Sequence, residues 1–130
     1  NKRLPSLGKK VELRNDIHPG ITIFANGSLL AWSIENIIRN GIDAIEKNDG
    51  TVSISLRKLN NDIKIRIQDN GRGIPKKDWK NIFRPGFSTK KAGWGLGLSL
   101  SSRIIEDIHG GQLKVSESSN EVGTILEISL

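Results

Sequence analysis

Ile63-Lys64-Ile65-Arg66-Ile67-Gln68-Asp69-Asn70-Gly71-Arg72-Gly73 is the stretch on which the fold turns. Three isoleucines alternate with polar neighbours, the period of a strand with one buried face. The alternation stops at Asp69-Asn70-Gly71-Arg72-Gly73, residue types that turn a chain. Just upstream, Val52, Ile54 and Leu56 alternate in the same way, and Asn60-Asn61-Asp62 between the two runs predicts a hairpin. Further upstream the period changes. From Gly27-Ser28 to about Lys47, Leu30, Ile34, Ile37, Ile38, Gly41 and Ile45 share one face at helical spacing. Asn48-Asp49-Gly50 is the stop signal.

Working outward, Val11 and Leu13 alternate, as do Ile21 and Ile23 after the Pro19-Gly20 turn, which reads as a short two-stranded unit. Residues 1–8 are polar, basic and broken by Pro5 and Gly8, and read as a linker, leaving 9–130 as the domain. On the other side, Pro75 opens a short helix over 75–82. A second helix is expected near Leu96–Ile108, with Leu96, Leu100, Ile104 and Ile108 on one face and Leu98 and Ile105 beside it. Gly110-Gly111 ends it. Leu113 and Val115, then Leu126, Ile128 and Leu130, form a last hairpin across Ser118-Ser119-Asn120. Strands, helix, strands, helix, strands describe an α+β sandwich, with helices on one face of a mixed or antiparallel sheet.

Composition narrows the function. The 130 residues include no cysteine, which excludes disulfides, thiolate metal sites and cysteine nucleophiles. No apolar run has the length of a membrane span and no signal-peptide pattern opens the chain. With no methionine, position 1 included, the chain reads as a fragment of a longer protein. A net charge of +6 attracts anions, but aromatics at 5% argue against a nucleic-acid platform. Lys76, Lys77, Lys80, Arg84, Lys90 and Lys91 cluster against Asp78 alone; the run suits a solvated surface, or, given its place between two glycine motifs, a phosphate ligand.

Three constellations carry chemistry. Asn36, Asn40, Asp43 and Lys47 stand at i, i+4, i+7 and i+11 and share one polar stripe of the first helix. That stripe suits either a solvent face or a hard-oxygen site, since an Asn carbonyl can ligate Mg²⁺. Asp69 with Gly71 and Gly73 is either a plain turn or a place where a carboxylate accepts from an amino group, such as that of adenine, beside a closely approaching backbone. Gly93-Trp94-Gly95-Leu96-Gly97 precedes a helix, where N–H groups favour phosphate. Leu98 stands where a dinucleotide fingerprint needs glycine, and no Gly-Lys-Ser/Thr phosphate loop exists.

Together these motifs resemble the catalytic and ATP-binding domain of sensor histidine kinases, in the superfamily with gyrase, the heat-shock chaperone ATPase and the MutL repair protein. Glu35-Asn36-Ile37-Ile38-Arg39-Asn40-Gly41-Ile42-Asp43-Ala44 resembles the N box, and Asp69-Asn70-Gly71-Arg72-Gly73-Ile74 the G1 box. Ile82-Phe83-Arg84-Pro85-Gly86-Phe87-Ser88-Thr89-Lys90 resembles the F box, and Gly93-Trp94-Gly95-Leu96-Gly97-Leu98-Ser99-Leu100 the G2 box. The resemblance runs from about Val11 to Leu130. It implies a two-layer sandwich in which about three helices cover one face of a mixed, mostly antiparallel sheet.

The resemblance also implies roles. Asn40 binds Mg²⁺, Asn36 lies near the phosphates, and Asp69 accepts from adenine, with Gly71, Gly73 and Ile74 shaping the pocket. Phe83 and Phe87 anchor a mobile lid over about 83–97, from which Thr89 and Lys90 reach phosphate. Gly93, Gly95, Leu96, Gly97 and Leu98 close over the triphosphate. Gly41 replaces the usual alanine, and Asp43 stands where many members carry a lysine, for which Lys47 or Arg39 can substitute. Asn36 occupies the position of the glutamate base in the hydrolysing branches, which favours phosphoryl transfer; Glu35 is next to it, about 100° around the helix.

The implied function is an ATP-dependent protein histidine kinase. Its ligands are ATP and Mg²⁺, and its partners a dimerisation and phosphoacceptor domain outside this chain and a response regulator. The implied setting is a cytoplasmic domain, monomeric alone and homodimeric in a full-length protein compatible with a membrane anchor. The alternatives are a nucleotide-binding scaffold without transfer activity and a serine kinase of the anti-sigma type on the same fold.

Overall fold

The computed structural model describes residues 2–4, 11–17, 27–46, 49–86, 97–119 and 121–130. In chain order the elements are β1 (Lys2–Leu4), β2 (Val11–Ile17), α1 (Gly27–Ala44), β3 (Gly50–Leu59), β4 (Asp62–Asp69), α2 (Gly97–Arg103), β5 (Gln112–Ser119) and β6 (Gly123–Ser129). The strands form one sheet in the order β1-β2-β3-β4-β6-β5. Only β2 and β3 run parallel; every other pair is antiparallel. The long crossover that a parallel pair requires contains α1, the helical element of a right-sized βαβ connection. The mixed, mostly antiparallel α+β sandwich is therefore as expected.

Within the stretch read as a linker, Lys2–Leu4 forms β1 at the edge of the sheet, antiparallel to β2, while the rest of residues 1–8 lies outside the described residues. A basic, Pro-flanked tripeptide carries no apolar alternation, so only backbone pairing defines it. The expected strand at Ile21 and Ile23 and the Pro19-Gly20 turn lie outside the described residues. The hairpin at Asn60-Asn61 is present, with Asn60 at φ 57°, a conformation asparagine tolerates better than most residues.

Alternation places the core. Ile63, Ile65 and Ile67 of β4 point inward with Val52 of β3, Leu126 and Ile128 of β6, and Leu113 and Val115 of β5. α1 lays Ile37, Gly41 and Ile42 on that surface, and Ile45 completes the contact just past the helix end. Asp69 continues the inward series of β4 one step beyond Ile67, so a carboxyl enters the helix-facing layer where period 2 would place an apolar residue.

The second helical segment changes phase. α2 is followed by π-helical turns over Ile104–Ile108, closed by the His109 Nδ1–H donating to the Ile104 carbonyl at 2.9 Å. Leu100 of α2 and Ile108 of the π turns face outward, 43% and 56% exposed, and Ile104 is half-buried. The buried residues are instead Ser99, Ser101 and Ile105, with Ser101 and Ile105 fully enclosed and Gly97 half-buried one turn before Ser101. The short helix expected over 75–82 is two 3-10 turns, Lys76–Asp78 and Asn81–Phe83. Between them Trp79 donates its Nε1–H to the Ile74 carbonyl at 2.9 Å. Among the described residues no helix is long and apolar enough to cross a membrane.

Candidate functional site

Asp69 is 7% exposed, and its Oδ1 accepts the Gly71 N–H at 2.7 Å. Burial pushes its carboxyl up from 3.8 to about 6. The backbone N–H groups of Gly71 and Thr124 and the Arg72 charge pull the other way without cancelling that cost. A buried carboxylate with an elevated pKa, held by backbone donors at a strand end, marks a candidate functional site.

Gly41 of α1 faces this carboxyl. A Cβ built there would stand 3.2 Å from Asp69 Cβ and 3.4 Å from Oδ2. The glycine so lets the strand end sit close under the helix. From Gly41 the polar stripe of α1 leads to Asn40 and Asn36. Both are half-buried, as is Asp43, so the stripe is not an open solvent face. Asn40 Nδ2 donates to the Asn36 carbonyl at 3.1 Å, which leaves its Oδ1 to ligate or accept. Asn36 Nδ2 donates in turn to Ser101 Oγ on α2 at 3.3 Å. Glu35 and Arg39 are exposed on the neighbouring faces.

Two glycines of the motifs serve the protein's own packing. A Cβ on Gly71 would come within 2.6 Å of the Ala44 carbonyl oxygen at the end of α1, and Arg72 N donates to that oxygen at 3.1 Å. A Cβ on Gly97 would press on the Asn36 amide at 2.6 Å. Close backbone approach is thus required as expected, but here the neighbours are Ala44 and Asn36. Gly73 adopts φ 80°, a left-handed turn that reverses the chain after β4. The Ile74 N–H then donates to Ser118 Oγ at 2.7 Å, and Ser118 pairs with Thr124 Oγ1 at 2.7 Å. Ile74 and Phe83 are partly buried against the core, and Leu98 packs there from α2.

The fold thus joins Asn36 and Asn40 with Gly97 and Ser101, and sets Asp69 and Gly71 against Gly41 and Ala44 near the end of α1; Asp43 is half-buried on α1, and Gly73, Ile74 and Leu98 pack beyond these contacts. Phe87, Thr89, Lys90, Gly93, Gly95, Leu96 and Lys47 lie outside the described residues. Sequence reasoning missed Ser101, Ser118 and Thr124. Their serine and threonine types carry no motif, and they reach the site only through long-range pairing of β5, β6 and α2. Among the described residues no cluster of three His, Cys, Asp or Glu stands ready for a metal.

Sporulation kinase C of Bacillus subtilis (strain 168) is 41% identical over 95 residues, 73% of this chain and 22% of that protein. Sporulation kinase B of the same organism is 32% identical over 123 residues, 94% of this chain and 28% of that protein. The chain thus spans about a quarter of the length of these two relatives. The nucleotide-free catalytic domain of histidine kinase ThkA superposes with a TM-score of 0.81 at 26% identity, covering 92% of this chain and 78% of that one. Residues 26–130 match the model of the histidine kinase-, DNA gyrase B-, and HSP90-like ATPases, and the chain belongs to that family.

Proposed function

We propose that this chain is the catalytic module of a sensor histidine kinase. It binds Mg-ATP and hands the γ-phosphoryl group to a histidine on a separate dimerisation and phosphoacceptor domain, with a response regulator downstream. The observation that carries this reading is that α1 meets both the Asp69 carboxyl and the first turn of α2. The Asp69 carboxyl lies against Gly41 at one end, and Asn40 and Asn36, with the first turn of α2, stand at the other.

Each group has a task in this reading. Asp69, ionised, accepts the adenine amino group; guanine presents a carbonyl there and is repelled. Asn40 Oδ1 is a hard oxygen on an amide whose nitrogen is already engaged, which suits a Mg²⁺ ion completing its shell with phosphate oxygens and water. Bound there, the ion neutralises phosphate charge. Transfer breaks the bond from the γ-phosphorus to its bridging oxygen, forms a P–N bond to an imidazole nitrogen, and releases ADP and the imidazole proton. Positioning and charge neutralisation carry most of such a step. Lys90 and Thr89, within the proposed lid of residues 83–97, supply further phosphate contacts. Glu35 and Asn36 complete the candidate catalytic set.

The chain's own histidines are unsuited as acceptors. His109 is tied to the Ile104 carbonyl at the helix end, and His18 is followed by Pro19-Gly20. Calorimetry with Mg²⁺ tests the reading: ATP binds and GTP binds at least about tenfold more weakly, the worth of one misplaced buried hydrogen-bonding group. Asn40→Asp folds but loses phosphotransfer to an added phosphoacceptor domain, since a carboxylate cannot donate to the Asn36 carbonyl and is repelled by it. Equal ATP and GTP affinity, or labelled phosphate on His109 of the isolated chain, refutes the assignment.

A further inference from the structure

Ser101 is fully enclosed and carries a hydroxyl that no motif assigns. It stands one turn beyond Gly97 on the buried face of α2, and both residues meet the same side chain. The Asn36 amide donates to Ser101 Oγ at 3.3 Å, while its plane lies against Gly97, where a Cβ would be 2.6 Å from Nδ2 and 2.9 Å from Oδ1. The Asn36 main-chain carbonyl separately accepts from the Asn40 amide at 3.1 Å. Asn36 thus meets α2 through its side chain and Asn40 through its backbone.

We infer that Ser101 is a positioning residue for the phosphate end of the site. Its hydroxyl oxygen accepts from the Asn36 amide, fixes which way that amide faces, and seats the first turn of α2 on α1. An apolar side chain at this position fills the space equally well but leaves the amide free to flip and its nitrogen without an acceptor. The base end of the site does not depend on this contact. Asp69 touches α1 at Gly41, five residues from Asn36 and so about 7.5 Å further along the helix axis. Its backbone donors come from Gly71 and Thr124, not from α2.

The inference rests on the proposed adenine-nucleotide function, and its test separates the two. The 130-residue chain and its Ser101→Ala variant are titrated calorimetrically with Mg-ADP and with AMP. The variant loses about three- to tenfold in Mg-ADP affinity, the worth of one hydrogen bond, and stays within about twofold for AMP. Ser101→Cys, of near-equal size but a weak acceptor, shows the same pattern at smaller amplitude and carries the comparison if the alanine variant does not fold. Ser101 as a mere packing residue predicts equal losses for both nucleotides, or none, and either result overturns the positioning role. A wild-type chain that binds neither nucleotide overturns the functional reading, and this inference with it.

Discussion

Lowering the pH weakens adenine recognition, because the group that performs it is the carboxyl that burial has pushed up to about 6. Adenine's amino group donates only to an acceptor, so the base binds the ionised form of Asp69. The observed affinity then scales as the ionised fraction. At pH 7 that fraction is close to one; at pH 5 it falls to about one in eleven, so the affinity drops about tenfold between them. Adenosine is the right probe, since it carries no phosphate to titrate in this window and needs no Mg²⁺. The assay is its dissociation constant, followed by NMR line positions from pH 8 to 5. Asp69→Asn lowers the affinity at every pH and flattens the profile, because the amide neither titrates nor accepts from both Gly71 and Thr124. The empty protein moves in the opposite sense. Folding holds the proton on Asp69 more tightly than the unfolded chain does, so the cost of burying the charge is absent below about pH 4. It grows through pH 6, to about 2–3 kcal/mol. Adenosine affinity that is level from pH 8 to 5 in the wild-type chain refutes the assignment of Asp69 to the base.

Gly71→Ala drives a methyl into the Ala44 carbonyl at 2.6 Å, a backbone atom at a helix end, and lowers stability by about 1–3 kcal/mol in urea unfolding. A stable alanine variant means the strand end and α1 are not in close contact. Glu127→Gln on the outer sheet face leaves Arg66, bound at 2.8 Å, and Lys64 and Lys114, at 4.0 and 3.8 Å, without their shared anion. Because Glu127 is 4% exposed, the loss is about 1–3 kcal/mol and is visible in the thermal midpoint, whereas a change under about 0.5 kcal/mol marks the network as ordinary surface pairing.

Most of the fold was legible from local signals. Ile63, Ile65 and Ile67 alternate because one face of β4 is buried and the other wet. The α1 apolar face follows from helical spacing, and the residues that anchor it are the expected Ile37, Gly41 and Ile45. α2 was misread, because helical period alone groups Leu100, Ile104 and Ile108. The π turns at Ile104–Ile108 change the phase beyond α2, and the residues that packing encloses are Ser99, Ser101 and Ile105. Backbone pairing at Lys2–Leu4 leaves no side-chain pattern to read.

For the site, the sequence by itself determined residue types in order: a carboxylate before glycines, two asparagines one helical turn apart, and alternating glycines before a helix. Spacing along one helix or one strand is a local property, so it survives without knowledge of the neighbours. Only the tertiary structure decided how far Asp69 is buried, and with it a pKa near 6, because desolvation comes from α1 and β6 together. It also decided that Gly71 and Gly97 are glycines for the sake of Ala44 and Asn36, and that Asn36 reaches a partner 65 residues away in Ser101. Burial, close approach and long-range hydrogen bonds are properties of pairs of elements, and no single segment of the chain carries them.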